Sequence, residues 1–277
     1  MPEGDTVHRC AAELHRALAG HEIVRADLRV PRHATADLRG RRIEEVLARG
    51  KHLLHRIGPG PDADDPLVLH TTLGMDGSWR LVRPGGPWGA AAHRVRAVLE
   101  TGAVVAVGVA LPRVELAPRR REAAILPELG PDLLGDDWDE EIAAANLARR
   151  PERQLAAALL DQRNLAGIGN EYAVEMCFLL GVRPTAPVRL AGNPLELVRL
   201  ARRLLLANRD RIARTTTGDA RPGRRSWVHR REGLGCRRCG TRIREGRHDA
   251  GAACARLQRR SWYCPRCQPE PGERATR

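Results

Sequence analysis

Two Cys-x-x-Cys pairs near the C-terminus, Cys236-Arg237-Arg238-Cys239 and Cys264-Pro265-Arg266-Cys267, constrain the fold of this chain more than any other feature. Each pair closes a knuckle that presents two thiols to one point, and together they supply the four thiolates of a tetrahedral structural zinc site. Two disulfides would use the same residues, but an intracellular setting disfavours them. The 24 residues between the pairs exceed the usual separation, so an inserted loop is expected around residues 245–257. Just before the second pair, Arg259-Arg260-Ser261-Trp262-Tyr263 reads as a strand whose hairpin tip carries arginine. Cys10 and Cys177 fall on apolar helical faces and are assigned to cores, while Cys254 has no paired neighbour and is left outside the site.

The rest of the chain changes texture once. After an opening helix with Val7, Cys10, Ala11, Leu14 and Leu18 on one face and Gly20 as its stop, alternating apolar residues predict strands at 23–30, 43–47, 51–57, 67–73, 78–82, 94–99 and 103–110. Short strands in that number suggest a sandwich or flattened barrel. Between about residues 117 and 150, prolines, an arginine triplet and an acidic run interrupt the alternation. Beyond them, helical spacing predicts helices at 139–147, 152–160, 170–180 and 194–208, with 214–225 as a flexible loop. The expected architecture is α+β and multidomain. A β-sandwich domain with a leading helix spans 1–117, a helical domain 118–230, a zinc finger 231–268 and a disordered tail 269–277.

Charge narrows the partner. The 277 residues carry a net charge of +13, and the basic residues crowd the C-terminal third, which predicts a polyanion. Five Trp, two Tyr and one Phe are too few for the stacked aromatic surface of a single-strand reader. A duplex held by its phosphates is favoured. There is no secretory segment and no run of apolar residues long enough to span a membrane, so a soluble, cytoplasmic protein is expected. The turn Gly167-Ile168-Gly169 before Asn170 exposes backbone amides at a helix N-terminus, with Asn170 as the expected cap, a natural phosphate seat or simply a helical hairpin.

Two positions carry candidate chemistry. Met1-Pro2-Glu3-Gly4 opens directly into the first helix, so removal of Met1 would leave a secondary amine at the helix mouth beside a carboxylate. An α-amino group has a reference pKa of about 8, against about 10.4 for lysine, and the positive end of the helix dipole lowers it further. A neutral amine can attack a carbonyl carbon and form a Schiff base, while Glu3 moves protons. The plainer alternative is an ordinary N-terminal turn. Of 47 Lys and Arg residues only Lys51 is lysine. In an Ala- and Arg-rich chain, that marks a position where a compact charge able to exchange a proton is needed, or a chance survivor. Arg49-Gly50-Lys51 sits at a turn between predicted strands, which would leave Lys51 exposed on a hairpin edge.

Four motifs in order resemble the formamidopyrimidine-DNA glycosylase and endonuclease VIII family. They are Pro2-Glu3-Gly4-Asp5-Thr6-Val7-His8-Arg9, Arg49-Gly50-Lys51-His52-Leu53-Leu54, the helix-two-turn-helix segment of residues 159–184, and Val228-His229-Arg230-Arg231-Glu232-Gly233 leading to Cys264-Pro265-Arg266-Cys267-Gln268. The opening motif looks closer to the endonuclease VIII branch. The resemblance implies a bifunctional glycosylase and abasic-site lyase acting, as an expected monomer in the bacterial cytoplasm, on duplex DNA that contains damaged bases or abasic sites, with one structural zinc ion. It makes Pro2 the nucleophile, Glu3 the proton donor to the opened sugar, Lys51 the residue serving β-elimination and a flanking phosphate, and Arg259 the phosphate grip assisting δ-elimination. Asn170 would hold the DNA backbone, and Met75 would fill the gap left by the extruded nucleotide.

The chain departs from the family pattern at Gly74, where endonuclease VIII proteins often place Gln, at Asp5 for a frequent Glu, and at Pro112-Arg113-Val114-Glu115 in place of the formamidopyrimidine branch's wedge loop. Oxidised pyrimidines are the first expectation for substrate and oxidised purines the second. A non-catalytic lesion-binding or architectural DNA-binding protein is the alternative, but binding alone needs neither an N-terminal amine nor a lysine. A zinc-ribbon protein of the translation machinery would leave the β-rich half unexplained.

Overall fold

A computed structural model describes residues 2–61, 65–250 and 258–270. The chain forms two compact units, Met1–Pro127 and Glu128–Arg277.

The first unit opens with α1 (Gly4–Leu18), which buries Val7, Ala11, Leu14 and Leu18 at the predicted spacing and stops at Gly20, φ +80°. Eight strands follow: β1 (Ile23–Leu28), β2 (Ile43–Arg49), β3 (His52–Ile57), β4 (Leu67–Thr72), β5 (Ser78–Val82), β6 (Val95–Thr101), β7 (Val105–Val109) and β8 (Arg113–Pro118). They make two antiparallel four-stranded sheets, ordered β2-β3-β4-β8 and β1-β6-β7-β5. One core of Leu14, Leu18, Val46, Leu53 and Leu69 with Ile23, Leu28, Ala97 and Leu99 joins both sheets to α1, so the unit is the expected sandwich with its leading helix. Strand β8 was not expected, because Pro112 and Pro118 frame it like loop punctuation. In the fold both prolines stand at its ends, where a missing N–H does least harm to a ladder. A helical turn, α2 (Glu122–Ile125), follows, with Glu122 receiving both Arg56 Nε and Nη2 at 3.0 and 2.7 Å.

The second unit holds α3 (Glu140–Ala148), α4 (Leu155–Leu160), α5 (Asn170–Leu179) and α6 (Pro194–Leu206) around a core that includes Leu147, Leu159, Ile168, Tyr172, Met176, Val198 and Leu205. Asp139 caps α3 by accepting from Ile142 N (2.9 Å), and Asn193 caps α6 by accepting from Leu195 N (2.9 Å). A hairpin, β9 (Arg244–Asp249) paired with β10 (Gln258–Tyr263), follows in the C-terminal part. Residues 244–249 are thus a strand, where an inserted loop was expected. Arg244-Glu245-Gly246-Arg247-His248-Asp249 holds no β-branched residue, and the pairing partner supplies what propensity does not. Cys254 with the rest of residues 251–257, and residues 271–277 of the expected tail, lie outside the described residues.

The segment expected as a flexible loop at 214–225 has no regular element yet is tied down. Asn208 exchanges hydrogen bonds with the Thr215 backbone (2.9 and 2.8 Å), Thr216 N donates to Arg225 O (2.9 Å), and Thr217 Oγ1 donates to Arg224 O (2.7 Å). Composition predicted irregular backbone correctly. It could not reveal that the threonine hydroxyls replace a ladder.

Candidate active site

In the first unit the functional candidates converge through register. Glu3 is the N-cap of α1 and fully buried, with its carbonyl accepting from Val7 N (3.0 Å), and Pro2 precedes it half-buried. Gly20 N donates to Ile43 O (2.7 Å) and Val46 N donates to His15 Nδ1 (3.2 Å), so α1 runs antiparallel to β2. From His15 back to Gly4 the helix rises about 16 Å, and from Val46 to Gly50 the strand advances about 13 Å. The Pro2-Glu3 end of the helix and the Gly50-Lys51 turn therefore reach the same end of the unit. Gly50, φ +57°, occupies the first central position of the two-residue turn, as a type II′ hairpin requires. Lys51 is half-buried, less exposed than a bare hairpin edge would leave it.

The same edge extends across the sheet. Arg49, His52, Thr72 and Arg113 pair in one row through β2, β3, β4 and β8. Immediately after Thr72 comes the tight turn of residues 73–77, closed by Gly77 N donating to Leu73 O (2.8 Å), from which Met75 projects at 63% exposure. Gly74 has φ +59°, and a Cβ there would sit 2.7 Å from Pro112 Cγ. The turn carrying Met75 and the residue just before β8 are thus packed as one piece, which leaves room only for glycine at position 74.

In the second unit Asn170 is the first residue of α5, and its cap is Gly169; the expected capping role is corrected. The Asn170 amide instead docks the hairpin. Nδ2 donates to Arg260 O (3.0 Å), and Oδ1 accepts from His248 Nε2 (3.0 Å), leaving the second N–H of that amide for a further acceptor. The turn before it is stitched by side chains. Gln162 Nε2 donates to Leu160 O and Ile168 O (2.9 and 3.0 Å), Gln162 Oε1 accepts from Gly167 N (3.0 Å), and Asn164 Nδ2 donates to Ala158 O (2.9 Å). Arg259 stands exposed on β10 opposite His248.

Cys236, Cys239, Cys264 and Cys267 place their sulfurs within 4.8 Å of one another, with three separations of 3.5 to 3.9 Å. Disulfide sulfurs lie about 2.05 Å apart, whereas thiolates about 2.3 Å from a tetrahedral ion lie about 3.8 Å apart. The donor set fits a metal and not two disulfides. The knuckles share a core with Val174 and Phe178 of α5 and with Val228, Ile243 and Trp262.

Sequence reasoning missed two features. Glu175, fully buried on α5, receives Trp227 N (2.7 Å), Val228 N (2.8 Å), His229 N (2.7 Å) and Thr216 Oγ1, thereby fixing the segment that leads into the first knuckle. Burial pushes its carboxyl upward, opposed by those four donors. The other is a histidine pair, half-buried His52 and fully buried His70, whose Nδ1 and Nε2 lie 2.8 Å apart beside Lys51. Only the β3–β4 register, one residue on each strand, could have brought them together.

A sequence model of the Formamidopyrimidine-DNA glycosylase N-terminal domain matches residues 1–108. Endonuclease 8 2 of Mycobacterium tuberculosis is 48% identical over 272 residues, covering 97% of this chain and 100% of the relative. The chain belongs to the formamidopyrimidine-DNA glycosylase and endonuclease VIII family. The DNA-(apurinic or apyrimidinic site) lyase Nei2 of Mycolicibacterium smegmatis is another member, 48% identical over 268 residues, 97% of this chain and 99% of the relative. The family fold is also that of the Lactococcus lactis Fpg solved in complex with abasic-site-containing DNA, with a TM-score of 0.76 at 22% identity over 97% of this chain and 100% of that one. Among the described residues, no helix of this family member is long and apolar enough to cross a membrane.

Proposed function

We propose that this protein is a bifunctional DNA glycosylase and abasic-site lyase that removes oxidised bases, pyrimidines before purines, from duplex DNA. The observation that carries the reading is the meeting of Pro2, Glu3 and the only lysine at one end of the sandwich, supported by full-length similarity to proteins named endonuclease 8 and abasic-site lyase. Once Met1 is removed, the Pro2 nitrogen attacks C1′ of the damaged nucleotide. The glycosidic bond breaks, the base leaves with its electron pair, and the proton released from the Pro2 nitrogen neutralises the departing base. Opening of the sugar ring breaks C1′–O4′, and Glu3 delivers a proton to O4′. Because Pro2 is a secondary amine, the product is a permanently charged iminium, which acidifies the C2′ proton. Lys51 assists loss of that proton and of the 3′ phosphate, and Arg259 assists loss of the 5′ phosphate.

Asn170 offers its remaining amide N–H to a phosphate, and Met75 fills the space vacated by the extruded nucleotide. The four thiolates favour zinc, a tetrahedral ion that accepts four soft donors and leaves no open position, and it would act by bracing the β9–β10 hairpin. The protein is taken to work as a cytoplasmic monomer.

A cleavage assay over duplexes with oxidised pyrimidines, oxidised purines and abasic sites, run with and without borohydride, tests this. Cleavage with covalent trapping on abasic DNA is the expected result. Tight binding without cleavage or trapping on any substrate would instead favour a non-catalytic lesion-binding protein.

A further inference from the structure

The edge that carries Lys51 holds a second polar device. His52 opens β3, His70 lies inside β4, and the register Leu54 to His70 and His52 to Thr72 puts both imidazoles on one face of the sheet. Their nitrogens Nδ1 and Nε2 are 2.8 Å apart and the rings 5.0 Å between centroids. His70 is fully buried, and its Nδ1 has no partner. A buried N–H without an acceptor is rarer and costlier than an idle lone pair. The His70 proton therefore belongs on Nε2, donating to His52 Nδ1, and the His52 proton is left on Nε2. That atom is absent from the closed-off, unpartnered ring nitrogens.

We propose that His70 locks His52 as a neutral imidazole whose Nε2–H donates to a DNA phosphate beside Lys51, making His52 a further DNA-binding residue and His70 its positioning residue. The inference rests on the function proposed above. The groups facing the pair are Lys51 next in sequence, Arg49 and Thr72 in the cross-strand row, Arg113 at the end of that row, and Glu115, which pairs with His70 across β4 and β8 and accepts from Arg113 Nη1 (3.0 Å). Burial first, then for His52 the neighbouring His70 followed by Arg113 and Lys51, and for His70 the Arg113 guanidinium, hold both imidazoles well below the ordinary histidine range, to about 4. A neutral donor suits an edge already crowded with positive charge. It adds direction to phosphate binding without further repulsion.

The test measures affinity for a duplex with a stable abasic analogue across salt and pH, using the full chain. Wild-type protein must bind that duplex more tightly than undamaged DNA, and failure there would overturn the function and the proposal together. Given that, His52→Leu should bind about five- to tenfold more weakly at every salt concentration, with the slope of log affinity on log salt unchanged, because a neutral donor displaces no counterion. His52→Gln, whose amide nitrogen reaches the place of Nε2, should recover most of the loss. His70→Leu, with its melting temperature checked, frees His52 to take up a proton, so its affinity should rise and its salt slope steepen as pH falls from 7.5 to 5.5, while the wild type stays flat. Wild-type affinity for His52→Leu, no recovery with Gln, or a salt slope reduced by a full unit in His52→Leu would each overturn the proposal.

Discussion

At the residue scale, the proposed chemistry depends on one atom. The nucleophile must be an amine, and an acyl group on Pro2 would convert it into an amide whose lone pair is delocalised. Retaining Met1 or adding an N-terminal tag should therefore abolish strand cleavage and borohydride trapping, while affinity for a stable abasic analogue stays within about twofold, an effect of about 0.4 kcal/mol. A tagged protein that still traps would move the nucleophile to Lys51. Gly74 makes a different demand. Its φ of +59° and the 2.7 Å approach to Pro112 Cγ leave no room for a side chain, so Gly74→Ala should cost roughly 1–3 kcal/mol. Because the strain falls on the turn that carries Met75, glycosylase turnover should drop more than binding to an abasic site, where the base is already gone. Equal losses in the two measurements would remove Met75 from base extrusion.

At the element scale, α5 organises the second unit. Asn170 at its start holds the hairpin, Glu175 at its middle gathers three backbone amides of residues 227–229, and Phe178 near its end packs in the cysteine core and lies 4.5 Å beneath the Arg238 guanidinium. The metal completes this arrangement, since in so small a module binding energy of the ion is folding energy. Cys239→Ser should lower metal content from one ion per chain to near zero and abolish cleavage. The separate melting transition of the first unit, which has its own core, should persist. Full activity in a metal-free preparation would contradict this. Helices α3, α5 and α6 could be placed to within two residues from the sequence, because apolar period, Asp139 and Asn193 all act locally. Strand β8 and the tethered 214–225 segment could not, since their partners, β4 and Asn208 with Glu175, become neighbours only on folding. The same divide holds for the site. Pro2, Lys51 and the cysteines stood out by type and spacing, and Arg259 by resemblance, whereas the His52–His70 pair exists only through strand register.

At the scale of the whole molecule, the net charge of +13 is what remains after 34 carboxylates are set against 47 Lys and Arg residues, and it bounds what DNA will feel. Many arginines already have carboxylate partners, including Arg39 with Asp37 (2.6 Å), Arg199 with Glu140 (2.8 Å) and Arg221 with Asp219 (2.6 Å), and Arg260 with Glu245 (2.6 Å). Exposed pairs of this kind add little stability, but they spend positive charge locally, so those residues release few counterions on meeting phosphate. Each phosphate neutralised by an arginine or lysine contributes about −0.9 to the slope of log affinity against log salt. If every net charge engaged a phosphate, the slope would approach about −12. Only cations that meet a phosphate contribute, and a duplex covers one face of the protein, so the slope should fall between about −4 and −8, a loss of at least two-hundredfold between 50 and 200 mM salt. Arg259, exposed on its braced strand, should be among the residues that count. Arg259→Ala should make the slope shallower by about one unit, whereas Arg221→Ala should leave it unchanged. Titrations of an abasic-analogue duplex at five or more salt concentrations would measure all three slopes. A wild-type slope near zero would rule out a phosphate-dominated interface, and equal slopes for the wild type and Arg259→Ala would take Arg259 off the DNA.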